Sequence, residues 1–377
     1  GQAIPPDFGR FIKKTLFHQR ALDIYFPMIF RPSYGSGLFT RRSSKSKTYQ
    51  LPQIKRSNIM TGIKIPSCIL ITGANIGLGF ECARQLALVE GVQKILLACR
   101  SQEKATAAKE RLEQLTNKKI FEVILMDVSS LASVKKAIET LKDEAIIDGV
   151  VLNAGGGGGS DPIGLTADGV TNNMAANMLG HVLLVDELLN ANKISGEAAS
   201  VVYSGSESAR GIPLMSLEPP KLESGSVEEF MSICDGSFFP EGAGNDPKYM
   251  GAFAKFVGAL WMSSMARKYP NIRFVTMSPG ATKGTAVRRD LPWYKRLFVG
   301  MLLNILFLKG NAHSLEVGAK RYVDALLEHS MYQSGVFYGS KKGLSGELSD
   351  QAEFLDYFAN EAFQDNANEA IHKFVNK

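Results

Sequence analysis

Gly73, Gly77 and Gly79 stand where the lack of a side chain has a chemical use. The apolar run Cys68-Ile69-Leu70-Ile71-Thr72 leads into Gly73-Ala74-Asn75-Ile76-Gly77-Leu78-Gly79, and Phe80, Ala83, Leu86 and Ala87 then recur at helical spacing. A buried strand, a glycine turn and a helix in that order make a cradle for a pyrophosphate. The glycines let the turn close tightly, let the backbone approach the phosphates and let the helix pack on the strand, while the first amides of the helix face the negative charge. Thr72, Gly73, Asn75, Ile76, Gly77 and Gly79 are therefore expected to bind a dinucleotide. A second apolar run ends in Leu97-Ala98-Cys99-Arg100. An acidic residue there would accept hydrogen bonds from a free ribose 2′-OH, whereas the planar cation of Arg100 suits a 2′-phosphate, which favours NADP(H) over NAD(H).

Such a cradle needs a sheet behind it, and hydrophobic periodicity supplies one. The pattern predicts strands over 67–72, 94–99, 120–126, 149–152, 199–204, 272–277 and 335–339. Helices are predicted over 77–90, 102–115, 131–143, 169–191, 252–269 and 314–329. Regular alternation of this kind gives an α/β fold with a doubly wound parallel sheet of Rossmann type. With 377 residues and 45% apolar content the chain can bury one large core. The expected organisation is an N-terminal extension over 1–62, a nucleotide-binding domain over 63–345 and a C-terminal helical tail over 346–377.

Charge separates the extension from the domain. Residues 1–60 hold 11 Lys and Arg against 2 Asp and Glu, a local charge of +9; the whole chain carries +6, so the remainder carries −3. The stretch Arg41-Arg42-Ser43-Ser44-Lys45-Ser46-Lys47 has the composition of an organelle-targeting or membrane-surface segment, or of a solvated tail. The aromatic runs near Phe8–Phe17 and Tyr25–Phe30 call for a docking partner, either protein or lipid. No run reaches the roughly 18 to 20 apolar residues that span a bilayer. The apolar segment 291–309, preceded by Arg288 and Arg289, suits a membrane interface, a pocket cover or plain core burial. Cys68, Cys82, Cys99 and Cys234 and the five histidines show no metal-ligand spacing, so neither a metal nor a disulfide is expected. Nucleic acid is not an expected partner, because no aromatic-stacking module or recognition helix accompanies the basic charge.

The spacing Thr72-Gly73-x-x-x-Gly77-x-Gly79 resembles that of the short-chain dehydrogenase/reductase superfamily, and further motifs arrive in the same order. Met126-Asp127-Val128, Leu152-Asn153-Ala154-Gly155 and Ser278-Pro279-Gly280-Ala281-Thr282-Lys283-Gly284-Thr285 match the segments that line the cofactor in that family. The resemblance thus adds Asp127, Val128, Asn153, Ala154, Gly155, Pro279, Gly280 and Thr282 to the cofactor site. Leu165-Thr166-Ala167-Asp168-Gly169, Asn177-Met178-Leu179-Gly180-His181 and Ala98-Cys99-Arg100-Ser101 look like the branch holding retinol dehydrogenases and protochlorophyllide reductases. The ending Gln333-Ser334-Gly335-Val336-Phe337-Tyr338 is more like the reductases.

The family works with an Asn, a Ser, a Tyr and a Lys. Reduction of a carbonyl needs a proton for the oxygen as hydride arrives, and an ammonium beside a phenol lowers its pKa enough to supply one near neutrality. By resemblance Asn177 is the asparagine, Ser206 the serine, with Ser204 as the other register, and Lys255 the lysine that also holds the cofactor ribose. Four residues before Lys255, where one helical step would put the tyrosine on the same face, stands Gly251. Tyr249 lies six residues before Lys255, about 240° around an ideal helix, so it substitutes only if the helix start is broken or shifted.

Glycines 155–159 strip side chains from the floor of the same pocket, making room for a large ligand or marking relaxed selection. The longer segment 211–248 with Phe230, Phe238 and Phe239 is expected either to cover the substrate site or to dock a partner, since the core does not obviously need those rings. Two functions follow. One is an NADP(H)-binding protein with impaired catalysis, a subunit or scaffold of a membrane-associated assembly in a plastid or mitochondrion, using residues 1–60 and 291–309 as contacts. The other is an active NADPH-dependent reductase of a large apolar carbonyl, polyprenoid or tetrapyrrole.

Overall fold

In a computed structural model, which describes residues 64–144, 146–196, 198–215, 217–239, 247–283 and 312–376, eight strands form one sheet in the order β3-β2-β1-β4-β5-β6-β7-β8. The strands are β1 (Cys68–Thr72), β2 (Lys94–Cys99), β3 (Phe121–Leu125), β4 (Gly149–Leu152), β5 (Ser200–Ser204), β6 (Arg273–Met277), β7 (Phe337–Ser340) and β8 (Leu348–Asp350). β1 to β7 pair in parallel, and β8 returns antiparallel along β7, with Gly339 opposite Ser349. The antiparallel edge departs from the all-parallel expectation. Three residues with no apolar alternation give a sequence pattern nothing to detect, and the strand forms because the turn after β7 folds back.

The central strands are apolar on both faces because helices cover both, as parallel sheets require. On one face lie α1 (Gly77–Ala87), α2 (Gln102–Thr116) and α7 (Leu315–Leu327), packed through Leu86, Leu112, Tyr322 and Leu326 against Ile69, Ile71, Ile95 and Val275. On the other lie α3 (Leu131–Leu141), α4 (Gly180–Asn190), α5 (Val227–Asp235), α6 (Pro247–Lys268) and α8 (Glu361–Val375). Serines 101, 130, 226 and 314 cap α2, α3, α5 and α7 by accepting a hydrogen bond from an amide of the first turn.

Two segments differ from their reading as sequence. Residues 346–377, set apart above as a tail, hold β8 and the core helix α8, whose Ala367, Ile371 and Phe374 are buried and whose His372 Nε2 meets Asp186 of α4 at 2.8 Å. Within 211–248, Phe230 is fully buried, and Phe238 and Phe239 stack on Phe253 of α6 with ring centroids 5.2 Å apart. The core does use these rings: they fill the space beside the first turns of α6, which periodicity within one segment cannot reveal. Residues 1–62 and the apolar segment 291–309 lie outside the described residues. All four cysteines are buried, and burial pushes the Cys99 thiol up to about 11.

Candidate active site

Every motif singled out in the nucleotide half sits just beyond the carboxyl end of a strand. The order β2-β1-β4 marks the point where the chain switches direction across the sheet, which is where doubly wound folds bind ligands. Gly73 (φ 67°) and Gly77 (φ 65°) take left-handed backbone that favours glycine. At Gly79 the reason is space, since a Cβ there would lie 2.5 Å from Asn153 Nδ2 and 2.6 Å from the Gly73 carbonyl. Asn153 explains that proximity: its amide donates to the Thr72 carbonyl at 2.9 Å and ties β4 to the glycine turn. Ile76, the residue before α1, is 48% exposed.

Arg100 follows β2, exposed, with no carboxylate paired to it among the described residues. Asp127 organises the turn after β3 by accepting from the Ser129 amide at 3.0 Å and hydroxyl at 2.6 Å. A Cβ on Gly180 would collide with the carbonyl of Val128, so glycine lets α4 approach that turn. Across the sheet, Gly280 (φ 70°) shapes the loop after β6, and Thr282 Oγ donates to the Pro279 and Gly280 carbonyls at 3.2 and 3.1 Å. Gly284 and Thr285 lie outside the described residues.

The loop after β6 is held from below by a buried polar network. Glu207 accepts from Ser278 Oγ at 2.5 Å and from the Ser340 amide at 2.9 Å, while Arg321 donates to the Ser278 carbonyl and Ser340 Oγ at 3.1 Å each. His313 Nε2 lies 2.8 Å from Arg321 Nη2, and burial with that guanidinium holds its pKa below the usual imidazole range.

The chemistry-bearing residues converge between β4, β5 and α6. Before α4 the helix widens to a π-helical stretch, Ala175–Leu179, that contains Asn177. Asn177 Nδ2 donates to the Gly156 carbonyl at 2.8 Å, pinning the glycine loop after β4. A Cβ placed on Gly155 would stand 2.7 Å from Asn177 Oδ1 and 3.6 Å from Lys255 Nζ, so Gly155, Asn177 and Lys255 meet at one point. The Asn177 carbonyl accepts from Tyr203 OH at 3.1 Å and from His181 Nδ1 at 3.2 Å. A carbonyl only accepts, so His181 carries its proton on Nδ1, and its Nε2 accepts from Thr72 Oγ at 3.0 Å; Thr72 Oγ in turn accepts from the Ala154 amide at 2.9 Å. Burial, aided by the Lys255 charge, pulls the His181 pKa down to about 3, so this chain stays neutral and fixed.

Lys255 projects from α6 over the ring face of Tyr203, with Nζ 4.8 Å from the centroid. No carboxylate among the described residues pairs with it, and burial lowers its pKa to about 8. Ser206 precedes the turn Glu207–Arg210, which packs on α6, and its Oγ accepts from Ser208 Oγ at 2.9 Å. Ser204 turns to the opposite face, bonded to Tyr322 OH at 2.7 Å and buried there.

The helix start fixes where Tyr249 and Gly251 stand relative to Lys255. α6 already runs from Pro247, so Gly251 and Lys255 are one turn apart on one face of a continuous helix. Tyr249 is inside that helix, six residues before Lys255, and packs against the core cluster. A Cβ on Gly251 would meet nothing within 4 Å among the described residues. One turn before Lys255 on this helix the chain carries a glycine and no side chain.

Sequence reasoning passed over Tyr203, His181 and the Glu207–Arg321 network. Tyr203 left a faint signal: Gly258, three residues past Lys255, is needed because a Cβ there would come within 2.5 Å of Tyr203 OH. Among the described residues no three His, Cys, Asp or Glu side chains gather as metal ligands would.

Residues 67–216 match the family model of the short chain dehydrogenases. The chain is 29% identical to a chloroplastic protochlorophyllide reductase of Daucus carota over 75% of its length and 73% of the relative's. It is 38% identical to a WW domain-containing oxidoreductase of Danio rerio, over 39% of its own length and 35% of that protein's. Among solved structures, the fold matches L-sorbose reductase from Gluconobacter frateurii complexed with NADPH and L-sorbose, with a TM-score of 0.54 and 18% identity over 76% of this chain and 98% of that one. It also matches an NADPH-bound short chain oxidoreductase from Pseudomonas aeruginosa PAO1 described as containing an atypical catalytic center. That match has a TM-score of 0.52 and 17% identity, over 72% of this chain and 93% of that one.

Proposed function

We propose that this chain, a short-chain dehydrogenase/reductase near the protochlorophyllide reductases, binds NADP(H) while its carbonyl-reducing chemistry is impaired. Thr72, Gly73, Asn75, Ile76, Gly77 and Gly79 would cradle the pyrophosphate, Arg100 the 2′-phosphate, Asp127 and Val128 the adenine side. Asn153, Ala154, Gly155, Pro279, Gly280 and Thr282 would line the nicotinamide side, and Lys255 would hold the ribose. When bound, the cofactor supplies a hydride. The chain's own residues orient an acceptor: Ser206 can donate a hydrogen bond to its oxygen, and Asn177 holds the glycine loop and, through its carbonyl, the layer beneath Lys255. What is missing is the proton donor, and the observation that carries this reading is Gly251 on an unbroken helix four residues before Lys255.

In this reading the protein serves as a subunit or scaffold in an organellar, membrane-associated assembly, held by its basic, aromatic residues 1–60 and by residues 291–309. Support comes from the +9 charge of the first 60 residues and from the chloroplastic relatives. Among the described residues no helix is long and apolar enough to cross a membrane. The retained meeting of Asn177 and Lys255 favours a second reading, an active NADPH-dependent reductase of a large apolar carbonyl, polyprenoid or tetrapyrrole with its proton from another source.

NADPH titration and turnover separate them. The first reading expects quenching of NADPH fluorescence without oxidation of NADPH by carbonyl or tetrapyrrole acceptors, and a gain on Gly251→Tyr toward the 10²- to 10⁴-fold that a positioned acid is worth, as an order of magnitude. Strong turnover by the unmodified chain, abolished by Tyr249→Phe, would reject it.

A further inference from the structure

The loop after β6 rests on one buried guanidinium. Arg321, on α7, donates from Nη1 to the Ser278 carbonyl and Ser340 Oγ, and from Nη2 to the Gly346 carbonyl and His313 Nε2. These bonds end in separate segments: the loop after β6, the end of β7, the turn before β8 and the residues that lead into α7. Glu207, next to Ser206, lies 3.9 Å from the same guanidinium and accepts from Ser278 and Ser340 as well. Gly280 turns directly over Arg321 and His313, since a Cβ on it would lie 2.9 Å from His313 Cδ2 and 3.0 Å from Arg321 Nη1.

His313 is also tied into the loop by its backbone. Its amide donates to the Ala281 carbonyl at 2.7 Å, and its carbonyl accepts from the Lys283 amide at 3.0 Å. A guanidinium has donors only, so His313 Nε2 accepts and the neutral ring carries its proton on Nδ1. A second proton would set N–H against N–H and cation against cation at 2.8 Å, and that bond must then open. Burial and the guanidinium hold the His313 pKa below the usual imidazole range, against the opposing pull of Glu207. Of the other charged groups on the surrounding elements, Arg210 bonds the Ser340 and Gly343 carbonyls, while Lys283, Glu316, Lys320, Lys341, Lys342 and Glu347 are exposed.

We propose that Arg321 is a positioning residue for the cofactor-lining loop 278–282, and that its bond to His313 makes the hold on NADP(H) weaken in acid. The proposal rests on the cofactor reading above. Arg321 acts through the loop, and His313 through Arg321. Neutral His313 keeps the loop in place, so affinity is complete above the usual imidazole range and is lost as pH falls through the lower pKa of the folded protein.

Calorimetric titration of the full chain with NADP⁺, from about pH 7.5 down to about pH 5, tests this in wild type and in His313→Gln. The 2′-phosphate titrates alike in both, so the difference between their profiles reports His313. Over that range the wild type should lose on the order of fivefold more affinity than His313→Gln, whose amide oxygen accepts from Arg321 at every pH. Arg321→Lys should weaken NADP⁺ about tenfold throughout, because an ammonium cannot replace a fork that serves several acceptors. Amide hydrogen exchange of residues 278–283 gives a readout without cofactor. In acid the wild type should exchange faster there than His313→Gln at the same pH, with β1 to β4 equal in the two. Parallel NADP⁺ profiles, or equal exchange of the loop in the two proteins, would overturn the proposal. A folded chain that binds no NADP⁺ near neutrality would instead refute the cofactor reading, and exchange at the loop then decides whether Arg321 and His313 hold it.

Discussion

Arg100 stands exposed at the end of β2, its guanidinium fork free of any paired carboxylate among the described residues. Charge-assisted hydrogen bonds to a phosphate contribute about 1.5 to 3 kcal/mol, and the planar fork suits them better than an ammonium does. Arg100→Glu is therefore expected to weaken NADPH binding by about tenfold or more while leaving NADH binding unchanged or tighter, as read by fluorescence titration. An equal loss for both nucleotides would place the 2′-phosphate elsewhere. Arg100 was legible because its meaning depends on position at a strand end. Tyr203 and His181 were not, because their roles arise across sequence gaps of 26 and 109 residues, in bonds to the Asn177 carbonyl and to Thr72.

Helix α6 shows what one element can and cannot announce. Its apolar pattern predicted residues 252–269, and the helix runs over Pro247–Lys268. The early start matters more than the length, because it places Tyr249 and Gly251 inside one regular turn. Proline at the first position suits a helix start, and the rings of Phe238 and Phe239 pack on Phe253 just beyond it. The two glycines of α6 should answer substitution oppositely. Gly251→Ala meets nothing within 4 Å among the described residues and removes the entropy cost of a mid-helix glycine, so denaturant melts should show a gain of about 0.5 to 1 kcal/mol. Gly258→Ala drives a methyl against Tyr203 OH and should cost on the order of 1 to 3 kcal/mol. A loss at Gly251 would mean that the space beside it is occupied.

Among the described residues, the parallel sheet and the switch point beside β1 followed from strand–helix alternation, since β1 to β6 each carry an apolar run. The antiparallel edge strand and the packing of α8 depend on contacts between distant segments, and no local pattern encodes those. The central feature also has a pH signature. Burial holds the Lys255 pKa at about 8, below the 10.5 of a free lysine. Between those values the unfolded chain holds a proton that the folded one has released, so this residue makes the cofactor-free protein gain stability as pH rises from about 8 to 10.5. The gain, on the order of 2 kcal/mol after allowing for partial exposure, should vanish in Lys255→Met, which should itself be the more stable protein near neutrality. The most direct test of the account is a crystal structure of the chain with NADP⁺ bound. It predicts Lys255 Nζ at the ribose and no tyrosine hydroxyl within hydrogen-bond reach of an acceptor at nicotinamide C4. A phenol found there beside Lys255, from Tyr249 or from any other part of the chain, would contradict it.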